Sequence, residues 1–204
     1  MKRDTLVAVA GLAAMLLAQV VLAADTAAPE GFRPLFDGKN LDQWKLSDEA
    51  AKHWTVADGV LKYDGKNRDL WTKQSFADFV LKVDWRMPAN SDSGIFLRGF
   101  PKAQANIWTS PLGSGEVWGY RTDKNLPEEI RKAATPKKKA DKPVGQWNSF
   151  VITLKGDRLT VVLNGEEVIS DAELPGLPKS GPIGLQHHGM PIEFRNIFIK
   201  ELKP

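Results

Sequence analysis

Cysteine is absent from all 204 residues. That excludes disulfides, thiol catalysis and thiolate metal sites. Histidine is scarce, with three in the chain, and tyrosine scarcer still, with two. The usual catalytic signatures are missing as well. There is no nucleophile elbow, and Gly113-Ser114-Gly115 lacks the spacing and the following helix of a phosphate loop. A glycosidase of the ordinary kind pairs two carboxylates across the scissile bond. Here only Glu116 is a clear candidate, since Glu166 and Glu167 follow a tight turn and read as exposed. No helix-turn-helix pattern or aromatic-basic interleaving occurs, so nucleic acid is excluded as a partner.

Only one long apolar run exists, from Leu6 to Leu22, preceded by Lys2 and Arg3 and closed by small residues at Ala23 and Ala24. This reads as an export signal over residues 1–24, cleaved after Ala23 or Ala24. The domain then occupies 25–204, in the periplasm or secreted, with no membrane association after cleavage. An uncleaved anchor is the competing reading, because the run approaches spanning length, but Gln19 and the small-residue end favour cleavage. No cysteine follows the run, so a lipoprotein anchor is excluded. The net charge of +3 falls to +2 once Lys2, Arg3 and Asp4 leave with the signal. Much of the basic excess sits at Lys137, Lys138, Lys139 and Lys142, in a Pro- and Ala-rich stretch that reads as a solvated loop.

What the chain has in abundance is alternation of apolar and polar residues between Gly, Asp, Asn and Pro breaks, the pattern of short antiparallel strands. Strands are expected at Gly59–Tyr63, Asp78–Arg86, Ser93–Gly99, Gln104–Trp108, Glu116–Arg121, Asn148–Lys155, Arg158–Leu163, Gly181–His188 and Ile192–Lys200. Phe79, Leu81, Val83 and Trp85 share one face, as do Phe150, Ile152 and Leu154. Gly156-Asp157 and Asn164-Gly165 read as hairpin turns, with Asn164 and Gly165 there for backbone geometry. The stretch Thr122–Gln146 is too long for a hairpin and holds one short helix around Leu126–Ala134. Long loops in compact domains are often functional, and the sequence leaves open whether this one covers a groove or decorates an edge.

Parity then predicts a face. Ile95, Leu97, Ile107, Ile183 and Leu185 belong to the core, so Phe96, Arg98, Gln104, Asn106, Trp108, Gln186 and His188 point the other way, leaving His187 with the core set. Glu116, Trp118 and Tyr120 share one side of a more ambiguous strand. Amides satisfy sugar hydroxyls and aromatic faces stack on pyranose rings. The predicted groove therefore suits a small-molecule glycoside, with Trp54, Trp85 and Trp147 left to core or corner positions. One histidine, one carboxylate and one arginine fit proton abstraction beside a carbonyl. No cofactor is required. A divalent metal held by His188, Glu116 and an amide oxygen would serve the same enolate, although no ligand spacing demands it.

These residues resemble the 3-keto-disaccharide hydrolase domain family. The resemblance runs from Gly31 to Leu202. It is carried by Phe36-Asp37-Gly38-Lys39-Asn40-Leu41-Asp42-Gln43-Trp44, Trp54-Thr55-Val56-Ala57-Asp58-Gly59-Val60-Leu61, Ser93-Gly94-Ile95-Phe96-Leu97-Arg98, Gly145-Gln146-Trp147-Asn148, Leu163-Asn164-Gly165, Leu185-Gln186-His187-His188-Gly189 and Phe194-Arg195-Asn196-Ile197. It implies an all-β, concanavalin-like jelly-roll sandwich of two antiparallel sheets. It also implies cleavage of 3-keto-glycosides by loss of the carbon 2 proton, elimination and hydration. Where many relatives carry Tyr-Glu-x-Gln-Ile-x-Asp, this chain has Gln104 for the Glu, Asn106 for the Gln and Thr109 for the Asp. The expected roles are His188 as general base, Arg98 polarising the ketone, and Glu116 as acid or orienting group. Gln104, Asn106, Trp108, Trp118, Tyr120 and Gln186 are expected to hold the sugar. The alternative is a lectin-like carbohydrate-binding module using the same face without turnover.

Overall fold

Alternating apolar side chains form strands here because each strand can then turn one full face into a shared core. The computed structural model describes residues 27–66 and 68–203; the export signal expected at residues 1–24 lies outside them. Among the described residues thirteen strands result: β1 (Arg33–Phe36), β2 (Trp44–Lys45), β3 (Trp54–Ala57), β4 (Val60–Tyr63), β5 (Leu70–Phe76), β6 (Phe79–Arg86), β7 (Asp92–Leu97), β8 (Phe100–Trp108), β9 (Asn148–Lys155), β10 (Arg158–Leu163), β11 (Glu166–Glu173), β12 (Gly181–Leu185) and β13 (Ile192–Glu201). Two short helices, α1 (Trp118–Arg121) and α2 (Glu128–Ala133), and a 3-10 turn at Ala50–Lys52 complete the elements.

The strands form two antiparallel sheets, making the jelly-roll sandwich that the alternation implied. The larger runs β11-β10-β9-β6-β13-β4-β3, with β1 also paired to β13; the smaller runs β2-β5-β12-β7-β8. Phe79, Leu81, Val83 and Trp85 of the larger sheet are buried, as are Phe150, Ile152 and Leu154 beside them. They meet Ile95, Leu97, Ile107, Ile183 and Leu185 of the smaller sheet, none of which has any exposed surface. Each such side chain contributes about 1.5–3 kcal/mol on burial, so this interface dominates stability. Trp54 and Trp85 belong to the core, while Trp147 sits at a corner between two guanidinium groups, 4.7 Å from Arg86 and 4.1 Å from Arg195.

The hairpins follow their turn residues. Gly156 alone takes positive φ in the β9–β10 turn, and Asn164 and Gly165 both take it between β10 and β11, matching the two-residue turns that suit sheet twist. The Asn164 side chain bonds to Ala140, Asn148 and Ser149. The expected helix is α2. The lysine run is less free than a solvated loop: Lys137 and Lys138 pair with Glu167 and Glu166 of β11, and Lys139 Nζ donates to the Ser110 carbonyl.

Two expectations fail. Glu116–Arg121 is not a strand: a short α1 begins at Trp118, so strand parity does not apply. Tyr120 is accordingly a core residue, its hydroxyl donating to the Pro175 carbonyl and burial pushing its pKa up to about 12. Arg98 is the second. β7 ends at Leu97, and Arg98-Gly99, both at positive φ, form the turn into β8. The Arg98 side chain, 3 % exposed, turns inward and donates to the carbonyls of Ala77, Gly156 and Pro178 and to Asp78 Oδ1 at 2.9 Å. It ties the end of the small sheet to the β9–β10 turn and is a structural residue, not a ketone-polarising one.

Removing one partner of a buried ion pair strands the other's charge and hydrogen bonds. Arg98→Met is expected to destabilise the fold by about 3 kcal/mol, read from chemical unfolding. An unchanged midpoint would show that the turn holds itself.

Candidate active site

The outer face of the small sheet is a ladder of cross-strand rows. In the first, Lys45, Trp71, Gly184, Phe96 and Gln104 stand opposite one another in turn across β2, β5, β12, β7 and β8. Trp71 and Phe96 stack with ring centroids 5.3 Å apart. The second row sets Gly94 opposite Asn106, with Gln186 N donating to the Gly94 carbonyl. The third sets Asp92 opposite Trp108. Gln104 Nε2 donates to Gln186 Oε1 at 2.5 Å, joining two predicted sugar-binding amides. Gly94 leaves room beneath them: a Cβ there would lie 2.0 Å from Gln104 Nε2, so that side chain would have to shift.

β8 is the sheet edge, and the chain folds back to cover it. Asn106 N donates to the Glu116 carbonyl and Gly115 N to the Asn106 carbonyl. This return places Glu116 against Asn106 with 0 % exposure. Asn106 Nδ2 approaches Glu116 Oε1 at 3.5 Å, and Arg121 Nε donates to Oε2 at 2.5 Å. Gly119 lets α1 lie on β8, since a Cβ there would come within 2.4 Å of the Lys102 carbonyl oxygen. Burial pushes the Glu116 carboxyl above its ordinary range; Arg121 opposes this, while the charge of Asp92 reinforces it.

Asp92 and His188 occupy the open end. β12 stops at Leu185, so His188 lies on the following loop rather than on a strand. Its Nε2 is 3.9 Å from Asp92 Oδ2, and the two side chains are 55 % and 34 % exposed. Desolvation raises the Asp92 carboxyl, partly offset by His188. His187 points to the other side, as parity predicts. The Tyr63 hydroxyl donates to His187 Nδ1, and so does Gly189 N, which leaves Nδ1 an acceptor. Burial, with help from Asp64 and Asp69, pushes Tyr63 up to about 12, so the phenol keeps its proton.

The structure thus brings together Gln104, Asn106, Glu116, Gln186 and His188, with Trp108 at the margin, its Nε1 donating to the Gly113 carbonyl. Trp118, 53 % exposed, stands outside the cluster on α1. Arg98 and Tyr120 are elsewhere. Sequence reasoning passed over Asp92 and Arg121. Asp92 carried a signal, because counting back by two from Phe96 through Gly94 reaches it; Arg121 carried none while its segment read as a strand. A metal held by His188, Glu116 and an amide oxygen does not fit these residues. Both Glu116 oxygens are engaged by Arg121 and Asn106, and among the described residues no group of three or more His, Asp or Glu side chains could hold an ion.

A jelly-roll sandwich with amides, carboxylates and a histidine grouped on one sheet face, Gln104, Asn106 and Glu116 buried and the Asp92–His188 pair open at its end, has the build of a carbohydrate-active protein. Residues 31–200 match the 3-keto-alpha-glucoside-1,2-lyase-like domain, and the chain belongs to that family. It is similar to a 3-keto-disaccharide hydrolase of Bacteroides thetaiotaomicron, 23% identical over 229 residues that span 85% of this chain and 79% of the relative. A provisionally assigned glycosyl hydrolase of Parabacteroides distasonis, solved at 2.13 Å, is 30% identical, with a TM-score of 0.63 over 85% of this chain and 84% of that one. An endo-beta-1,3(4)-glucanase of family GH16 shares the fold, with a TM-score of 0.52 and 11% identity over 87% of this chain and 94% of that one.

The raised Asp92 carboxyl has a consequence for stability. The folded state holds this proton more tightly than the unfolded chain, whose pKa lies near 3.8. The contribution is full below that value and is lost as pH rises through the folded pKa. Asp92→Asn should remove this part of the pH dependence, so that wild type and variant diverge in unfolding midpoint as pH rises from acid towards neutral, the variant being the more stable. Parallel pH profiles would show that the Asp92 carboxyl is not raised.

Proposed function

We propose that this protein cleaves the glycosidic bond of glycosides whose glucosyl unit carries a ketone at carbon 3. The observation that carries the reading is the His188–Asp92 pair standing open at the end of a sheet face lined by the Gln104 and Gln186 amides. Membership of the family and the activity named for the Bacteroides relative support it.

A ketone at carbon 3 acidifies the proton on carbon 2. His188 Nε2 accepts that proton, and the electron pair moves into the enolate of carbons 2 and 3. Asp92 stabilises the imidazolium so formed and orients the ring. The enolate expels the glycosidic oxygen from carbon 1, the leaving oxygen takes the proton held on the His188 imidazolium, and a double bond between carbons 1 and 2, conjugated to the ketone, remains. Water then adds at carbon 1 while carbon 2 recovers a proton, giving net hydrolysis; release of the enone instead makes the reaction a lyase step. The donors proposed for the developing enolate oxygen are Gln104, Asn106 and the Arg121 guanidinium, the last in the role first expected of Arg98. No second strong carboxylic acid is needed, which fits a Glu116 locked by Arg121. The export signal read in residues 1–24 makes the periplasm or the exterior the proposed compartment.

A second reading, a carbohydrate-binding domain without turnover, draws on Gln104 and Thr109, which stand where the family pattern has Glu and Asp. Product analysis with a 3-keto-disaccharide separates the two. His188→Ala should lower turnover by about 100-fold or more, the scale of general-base catalysis, with thermal unfolding unchanged. Asp92→Asn should act in the same direction and move the acid limb of the rate profile. Tight binding by the wild type with no product would favour the second reading, and undiminished turnover in His188→Ala would remove it from the chemistry.

A further inference from the structure

The long segment between α1 and β9 takes no part in the chemistry above, yet its end closes a cavity of about 320 Å³. The walls include Trp85, Met87 and Pro88 at the end of β6, Trp108 at the end of β8, and Pro143 and Val144 from the segment itself. Polar residues also line it, but several are already committed within the protein. Asp141 accepts from Ser114 N, Lys139 donates to the Ser110 carbonyl, and Asn148 Oδ1 accepts from Lys142 N and Asn164 Nδ2. What remains is largely aromatic and aliphatic wall. Trp85 Nε1, buried in that wall, has no hydrogen-bond partner, and Val144, an apolar residue, is 58% exposed at the loop.

The position of this cavity relative to the reacting groups is set by strand register. Trp108 is the direct cross-strand partner of Asp92, and residues so opposed have Cα atoms roughly 4.5–5.5 Å apart. A sugar held by Gln104 and Gln186, with its carbon 2 towards His188, would have its leaving group within reach of Trp108. The volume is at the low end of the range for small-molecule pockets, about 300–1,000 Å³, and suits one ring system. A second pyranose would need hydrogen-bonding groups around its whole rim. Here two indoles, a thioether and two prolines make most of the wall, and the polar side chains not engaged within the protein are those of Thr109, Lys142 and Gln146.

We propose that this cavity is the leaving-group subsite and that it takes a planar apolar aglycone, an aryl alcohol, in preference to a second sugar. The proposal rests on the reading that His188 and Asp92 mark the reacting bond. It gives the Thr122–Gln146 segment a role, since residues 139–146 supply one wall and set which glycosides fit.

The test uses ligands without the ketone, which are bound but not turned over, so its outcome does not depend on the proton-transfer chemistry. Calorimetry on the full domain compares 4-nitrophenyl glucoside, maltose and methyl glucoside. The aryl glucoside is expected to bind about tenfold more tightly than either of the others, a difference of about 1.4 kcal/mol. Val144→Asp, at an exposed position that should leave the fold intact, should remove most of that advantage while leaving methyl glucoside affinity unchanged. Gln104→Ala should weaken the aryl glucoside but not free 4-nitrophenol, showing that sugar and aglycone lie in one continuous site. Equal affinity for the aryl glucoside and maltose would overturn the proposal. So would equal losses for all three ligands in Val144→Asp, or an aryl glucoside indifferent to Gln104→Ala.

Discussion

The site is organised around a carboxylate that has no contact with water. Glu116 is fully buried, and an isolated buried carboxylate costs several kcal/mol. Its position is tenable only because Arg121 reaches it from α1 and Asn106 from β8. That requirement dictates much around it. The chain must leave β8, turn back through Gly113 and Gly115 and run beside the strand long enough to make two backbone hydrogen bonds. It must then enter a helix immediately, so that a guanidinium five residues on can face back. The return also closes the exposed edge of the small sheet, which would otherwise present unpaired backbone groups. Catalytic surroundings and edge protection come from the same short segment.

A second guanidinium, this one buried, does comparable work at the opposite end of that sheet. Arg98 sits in the turn between β7 and β8 at positive φ, a conformation that costs a non-glycine residue about 1–2 kcal/mol. Three carbonyls and Asp78 compensate it. The two arginines therefore divide the labour: Arg98 secures the join between sheets, and Arg121 balances charge beside the open face. With the far end held by Arg98, β7 keeps its register, and Asp92, six residues earlier, is presented at the near end. Titratable groups whose surroundings shift their proton affinity, grouped on an accessible face, are the usual mark of reactive sites. Here Asp92 and Glu116 are both raised by desolvation and each lies near a basic partner.

The sheet face is also graded in polarity. Away from the reacting end lies the Trp71–Phe96 stack, next to it the Gln104–Gln186 amide pair, then the Asp92–His188 pair, and beyond Trp108 the apolar cavity. A ligand with a polar ring between less polar ends would match this order. Gly94 and Gly184 keep the middle of the face low enough for Gln104 and Trp71 to lie across it, since a Cβ at either would collide with the side chain above.

The sequence alone determined everything that depends on the two-residue period of a strand. It placed Ile95, Leu97, Ile107, Ile183 and Leu185 in the core and Phe96, Gln104 and Asn106 on the opposite face. Burying one face is a strong local constraint, because a slip of one residue would expose every apolar side chain of the strand. The motifs that run from Gly31 to Leu202 carried the family. Parity fails where a strand ends, and strand ends are not written in the period. Arg98 follows Leu97 in perfect alternation, yet the tight turn needs positive φ at that residue and swings its side chain inward. Tyr120 alternates with Trp118 and Glu116 on paper, but one turn of helix puts it in the core. Arg121 reached Glu116, and Asp92 met His188, only through chain reversals whose partners lie far apart in sequence. Those meetings belong to the tertiary structure, because a buried charge is stabilised by whatever opposite charge the completed fold brings near it, and no local pattern records which one that is.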